Sequence, residues 1–231
     1  VPVLYFRKRH LSYRTGKILA FRPFFQGFFL FIFAIIKKLK QNAMKTVILL
    51  GTVRKGRQSH KAAHYLERRL QALGIETDLI DLAKTPLPIA GTEEAETPEA
   101  KRAIAHIGTR IDEGNSLIFV TPEYQGSFSG VLKNALDHYW AEFQKKPVGV
   151  VASSSGRMAG INASTQLQHV ILSLGAFPMP NKLLISEVHT AFDAYGEPKE
   201  QRIVRSTNKF LDELLWFASA FCLKKQKEVV A

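Results

Sequence analysis

The chain predicts an α/β fold: a doubly wound, five-stranded parallel sheet with helices on both faces, in three layers. Three observations predict it. Short unbroken apolar runs, at 47–50 and 116–120 above all, read as strands buried on both faces. Amphipathic helical patterns separate such runs, so that strand and helix alternate five times, which calls for parallel strands and crossover connections. The length, 231 residues, suits one such domain with a full core and an appendage. Sheets of this kind commonly take the strand order 2-1-3-4-5, with the ligand over the carboxyl ends of the strands near the switch point.

Each element has its own signal. The first strand, 47–50, ends at Gly51. The helix over 59–73 turns Ala62, Ala63, Leu66, Leu70 and Leu73 to one side and stops at Gly74. Strand 75–82 alternates enough to predict a partly exposed face. Loop 83–97 carries Pro86, Pro88 and the acidic stretch 93–96. The helix over 98–113 opens with Thr97 as N-cap and Pro98 at its first position, where no intrahelical N–H bond is lost. Strand 116–120 and the helix over 129–143 follow, the latter with Ser129 as N-cap. Strand 148–152, a Ser-rich loop 153–157, a helix over 159–174 and strand 182–185 complete the sheet. A long helix over 197–223, with Pro198 near its start, closes the domain at 44–223 and leaves 224–231 as a polar tail.

Net charge is +12, yet residues 1–43 carry nine Lys and Arg and no acid, while the rest carries 23 basic against 20 acidic residues. The body shows no basic stripe, which excludes nucleic-acid binding as its task. The one cysteine, Cys222, excludes an internal disulfide framework and any Cys-based zinc or iron–sulfur centre. Residues 1–43 form a basic extension holding eight of the sixteen Phe. Its apolar centre, 24–36, is shorter than the roughly 17–25 residues of a membrane span. Three readings stay open there: upstream sequence ahead of a start at Met44, an anchor with basic flanks, or a signal segment. Membrane association is expected only if the anchor is real.

The loops after strands one, three and four meet at one edge of such a sheet, and all three are unusual. Loop 51–60 offers Gly51 and Gly56 for close backbone approach, hydroxyls on Thr52 and Ser59, and positive charge on Arg54, Lys55 and Arg57. The free N–H groups and positive dipole end of a helix follow, which together make a phosphate cradle. It has neither the Gly-Lys-Ser/Thr ending of a P-loop nor a G-x-G-x-x-G turn. The second loop, in the stretch 121–140, offers Pro122, Glu123, Tyr124, Gln125 and Gly126, an aromatic surface with backbone donors and acceptors. The third, 153–160, offers Ser154, Gly156 and Gly160 in a turn with accessible N–H groups.

In this order the loops resemble those of the NAD(P)H-dependent FMN reductases, a flavodoxin-like family. That family's phosphate loop reads Gly-Ser/Thr-x-Arg-x-Gly. Its ring-contacting loop reads Pro-Glu-Tyr-Asn, followed by a helix start Gly-x-Leu-Lys-Asn-Ala, here Gly130 to Ala135. Its third loop reads Ser-x-Gly-x-x-Gly-Gly. The chain departs at Gln125, where the family has Asn, and at Ala159, where it has the first paired Gly. The resemblance spans 44–221.

The resemblance implies bound FMN, with Thr52, Arg54, Arg57 and Ser59 at its phosphate and Pro122, Glu123, Tyr124, Gln125 and Gly126 along its ring. Ser154 and Gly156 would face N1 and the C2 oxygen. It implies NADPH or NADH as co-substrate and ping-pong two-electron reduction of quinones, flavins, azo compounds or metal oxyanions. No catalytic side chain is needed, because the flavin carries the chemistry. Small-molecule acceptors, a cytoplasmic location and a homodimer or homotetramer are expected, with Tyr139, Trp140 and Phe143 in the core or at a subunit contact. Pro86, Leu87, Pro88 and Ile89 are expected to wall the second substrate. A flavodoxin-type FMN electron carrier without its own NAD(P)H oxidation is the rival reading, although such carriers are strongly acidic and this body is not. His60 and His64 stand at metal-ligand spacing on a helix with Glu67 nearby, but without a Cys partner no metal is expected.

Overall fold

The computed structural model describes residues 44–230, with side chains through 222. The expected extension at 1–43, with its three readings, lies outside the described residues. Seven strands, β1 Lys45–Leu50, β2 Glu76–Asp81, β3 Ser116–Tyr124, β4 Ser127–Phe128, β5 Pro147–Ser153, β6 Phe177–Pro178 and β7 Leu183–Ile185, form one sheet. Five helices are α1 Ser59–Ala72, α2 Pro98–Asp112, α3 Gly130–Asp137, α4 Ile161–Ser173 and α5 Gln201–Val230. The main path runs β2-β1-β3-β5, with β6 and β7 both paired to β5, all parallel.

That is the expected doubly wound order with two changes of detail. The fifth position is shared by two short strands, β6 beside the start of β5 and β7 beside its end. Pro178 ends β6 and Pro180 follows before β7, and proline cannot donate to a ladder, so one continuous edge strand is not available. In addition β3 runs past the expected 120 to Tyr124 and folds back as an antiparallel hairpin with β4. Gln125 (φ 50°) and Gly126 (φ 75°) form its two-residue turn, both left-handed, as a type I′ turn requires.

Alternation along the buried strands builds two cores. Ile48, Leu50, Ile118, Val120 and Val151 pack with Ala62, Ala63, Leu66 and Leu70 of α1 and with Phe210, Leu211, Leu214 and Ala218 of α5. Val47, Leu49, Leu117, Phe119, Val148 and Val150 pack with Ile107 and Ile111 of α2, Leu132 and Leu136 of α3, and Leu167 and Ile171 of α4. Gly149 of β5 makes the first face possible, since a Cβ there would stand 2.4 Å from the Phe210 ring.

Two helices differ from expectation. The helix expected over 129–143 ends at Asp137, and a separate 3-10 turn covers Ala141–Phe143. Trp140 breaks the run with non-helical backbone, and its N–H is taken by the Glu142 carboxylate at 3.1 Å. Tyr139 and Phe143 are buried in the second core, while Trp140 is exposed. The closing helix begins at Gln201, because Pro198 pairs with Phe192 in a bridge and Asp193 Oδ1 accepts from the Tyr195 and Glu197 N–H groups in a tight turn. The helix then continues through Val230, over the stretch expected as a polar tail. Among the described residues no helix is long and apolar enough to cross a membrane.

Candidate functional site

Leu50 pairs with Val120, and Pro122 with Ser153, so the carboxyl ends of β1, β3 and β5 stand side by side. The loops after them meet, as the topology demands. Gly51 donates to Val120 O at 2.8 Å, and its carbonyl accepts from Ser129 Oγ. Ser129 also N-caps α3 through Leu132 N, so one hydroxyl joins the first loop to the start of that helix. Ser59 Oγ lies 3.0 Å from Ser153 Oγ, tying the first turn of α1 to the end of β5.

The phosphate-type loop runs from the end of β1 to the start of α1. Thr52 is buried, and its Oγ1 finds no hydrogen-bond partner among the described residues. Ser59 is the first residue of α1 and is buried. The N-terminus of α1 is open: Gln58 makes no side-chain cap, and no acid lies in the first turn. Arg54 and Lys55 are exposed beside it. Arg57 stands apart from these. Its Nη1 and Nη2 donate to Asp81 Oδ1 and Oδ2 at 2.6 and 2.5 Å, and Nη1 also donates to Thr52 O. Its guanidinium holds the loop against the end of β2 instead of standing free for an anion. Burial alone would raise the Asp81 pKa, but the Arg57 fork and the Ala83 N–H outweigh it and hold the carboxyl below the ordinary carboxylate range.

The ring-type loop is the hairpin. Pro122 closes the parallel pairing with β5, and Glu123 and Tyr124 pair with Phe128 and Ser127. Arg54 stands over the Tyr124 ring at 6.0 Å, so the first two loops meet through a cation–π contact. Glu123 does something its sequence context did not suggest. Its Oε2 accepts from Asn162 N at 3.1 Å and Ala163 N at 3.2 Å, placing a carboxylate on the N-terminus of α4. A flavin contact from that side chain is therefore not what the geometry provides; the residue's backbone remains in the hairpin. Gln166 completes the clamp, donating to Gly126 O and accepting from Ser127 Oγ, both at 2.8 Å.

The third loop is a compact turn. Ser154 donates through N to Ile185 O and through Oγ to Gly156 O, and Gly156 is exposed with open space where a Cβ would point. Ala159 (φ 55°) and Gly160 (φ 83°) are both left-handed. A Cβ at Gly160 would lie 2.8 Å from Ala152 Cβ, so that glycine is required and Ala159 is strained. Among the charged and polar groups of the three loops stand two exposed apolar side chains, Val53 at 51% and Met158 at 68%, and the loop after β2 adds Ile89 at 68%.

Of the expected residues, then, Thr52, Arg54, Ser59, Pro122, Tyr124, Gln125, Gly126, Ser154 and Gly156 are gathered at one edge, while the Arg57 and Glu123 side chains are committed to holding it together. Sequence reasoning missed Asp81 and Gln166, and it marked Ser129 only as a helix cap and Asn134 only as part of the Gly130–Ala135 stretch. A buried-strand acid opposite a basic loop was a usable signal for Asp81; Gln166 is a polar helix residue with none. His60 and His64 stack edge to face at 6.3 Å, and His64 Nδ1 lies 3.0 Å from Glu67. No group of three or more metal-type side chains is arranged to hold an ion among the described residues.

Comparison with known proteins follows the same outline. A family model described as NADPH-dependent FMN reductase matches residues 44–190. An NADPH azoreductase from Bacillus sp. (strain OY1-2) is 30% identical over 155 residues, covering 67% of this chain and 83% of the relative. An FMN-dependent NADPH-azoreductase from Staphylococcus aureus (strain USA300) is 33% identical over 147 residues, covering 61% and 76%. Among solved structures, FerB, a flavoenzyme NAD(P)H:(acceptor) oxidoreductase from Paracoccus denitrificans, shares the fold with a TM-score of 0.66 at 21% identity, covering 77% of this chain and 98% of that one.

Proposed function

The chain belongs to the NADPH-dependent FMN reductase family, and from that premise we propose how its residues hold the cofactor and what they reduce with it. It is an FMN-dependent oxidoreductase with NAD(P)H as co-substrate. When bound, FMN supplies the two-electron chemistry, taking a hydride from the nicotinamide and returning the electrons to an acceptor. The protein's part is to bind, orient and shield.

One observation carries the assignment of the phosphate end. Two helices begin at the same sheet edge. The start of α4 is filled by the protein's own Glu123 carboxylate, whereas the start of α1 is uncapped and lies beside a buried, unpartnered Thr52 hydroxyl and two exposed cations. The residues fit a dianionic phosphate at α1. Thr52 and Ser59 supply hydroxyl donors, Arg54 the charge, and Arg57 holds the loop in shape through Asp81. The hairpin 122–126 would supply backbone groups and the Tyr124 face to the ring, and in the turn 154–156, where the Ser154 N–H is already spent on Ile185 O, the remaining backbone N–H groups would be the donors to its polar edge.

With FMN held there, the two substrates would use the same side of the site in turn, a ping-pong scheme in which nicotinamide leaves before the acceptor enters. The apolar rim of Val53, Ile89 and Met158 supports flat organic acceptors, quinones or azo compounds among them. The chain acts in the cytoplasm, where NAD(P)H is available, as a homo-oligomer; the exposed Trp140 and Trp216 support a subunit contact. Light scattering of the purified protein measures that state directly.

The deciding experiment is anaerobic mixing of FMN-loaded protein with NADPH or NADH while flavin absorbance is followed. Rapid bleaching, reversed by a quinone, is expected. Stable colour with both nucleotides would make the protein an electron carrier. For the cradle, Arg54→Ala is expected to weaken FMN binding by about 1.5–3 kcal/mol, the range of a charge-assisted contact. Unchanged affinity by calorimetry would take Arg54 out of the site.

A further inference from the structure

Asn134 lies in the Gly130–Ala135 stretch, and the cofactor contacts leave it unused. Its side chain is spent on another loop. Its Oδ1 accepts from Ala90 N at 2.9 Å, and its Nδ2 donates to Pro88 O at 2.9 Å and Leu87 O at 3.4 Å. One turn further along the chain, His138 Nε2 donates to Pro88 O at 2.9 Å. The far side of the loop is fixed as well, since Ile89 O accepts from Thr92 N at 3.2 Å and Thr92 Oγ1 at 2.7 Å. Between these anchors the Ile89 side chain is 68% exposed. Water-facing isoleucines are common, but one whose backbone neighbours are pinned from both sides is an ordered apolar surface.

The anchoring helix is also the one that carries the hairpin. The N-cap of α3, Ser129, bonds Gly51 O in the phosphate loop, and β4 ends one residue earlier at Phe128. Asn134 lies four residues past the helix start, about 6 Å along its axis. Ring-side hairpin and pinned loop are thus set by one rigid element.

We propose that Asn134, assisted by His138, is a positioning residue that fixes Ile89 as the acceptor-side wall and so sets a preference for acceptors with an extended flat aromatic body over small ones. The proposal rests on the FMN site described above. Asn134 touches neither cofactor nor acceptor; it acts through the backbone of 87–90.

The test uses the FMN-loaded full chain with two acceptors: methyl red, an extended azo arene, and ferricyanide, which needs no wall. Asn134→Ala is expected to raise both the KM for methyl red and its Kd for the oxidised enzyme, read by equilibrium dialysis, by about ten-fold, the size expected for losing one well-ordered apolar contact. The KM for ferricyanide and the rate of flavin bleaching by NADPH stay as in the wild type. Unchanged methyl red binding, or an equal rise for both acceptors, overturns the proposal. Should Asn134→Ala not fold, Ile89→Ala, at an exposed position, is expected to weaken methyl red binding in the same direction, and an unchanged Kd there overturns it equally. Failure of NADPH to bleach the wild-type flavin would instead remove the reductase reading, and the dialysis comparison would still decide the wall.

Discussion

A Cβ at position 51 would stand 2.5 Å from Leu132 Cβ, so the first loop can leave β1 only through a glycine. Gly51→Ala is expected to push α3 away from the sheet edge, cost about 1–3 kcal/mol and loosen FMN retention, as urea unfolding and cofactor titration would show. Left-handed backbone at Ala159 and Gln125 works in the other direction. Ala159→Gly relieves an alanine held at φ 55° and is expected to stabilise the protein by about 1 kcal/mol; a lowered melting temperature would contradict this. Both positions stood out in the sequence as departures from the family's Gly and Asn, but the reason they matter is a dihedral angle, which no residue pattern displays. Arg57 shows the complementary blindness. A count of charges in the loop was correct, yet its partner Asp81 is 24 residues away and is brought near only by the pairing of β1 with β2.

Capping distinguishes the helices. Thr97 and Ser129 cap α2 and α3 from the positions the sequence marks, because a cap is a local contact between neighbours. The cap of α4 is remote: Glu123 reaches it across about 40 residues of chain, through the hairpin. Glu123→Ala is expected to cost about 1–2 kcal/mol and to speed amide exchange at Asn162 and Ala163 while leaving the β1 amides protected. The far end of α2 has a similar remote partner in the buried Lys146, whose Nζ donates to Ile111 O at 2.9 Å and Asp112 O at 2.7 Å. Its ammonium complements the helix dipole there. Lys146→Met is expected to destabilise by about 2–3 kcal/mol, because buried carbonyls lose a charged donor. Strand and helix positions were readable because apolar spacing is a local property. The break after Asp137 and the splitting of the fifth strand depended on what Glu142 and β5 offer in space.

At the scale of the molecule, two cores on one sheet follow from alternation along β1, β3 and β5, and this is why the fold class could be read before any site. The stability of the assembled sheet should depend on acid pH. Asp78 is held below the ordinary carboxylate range first by its hydrogen bonds from Arg110, and Asp81 is lowered by Arg57 against the opposing effect of burial. Groups with a depressed folded pKa contribute stability that is present in full above the unfolded value, about 3.9, and is lost as pH falls through the folded value. Unfolding free energy is therefore expected to fall steeply below about pH 4, and less steeply in Asp78→Asn, whose partner no longer titrates against it. Loss of stability as pH rises instead would contradict the assignment. The unequal starts of α1 and α4 bear on how a ligand enters. On the proposed reading, an elongated molecule with one anionic tail would meet a receptive socket at α1 and a carboxylate already seated at α4. The sheet edge would then work like a keyed connector, accepting the tail in one sense only and leaving the flat end to face the side from which substrates arrive.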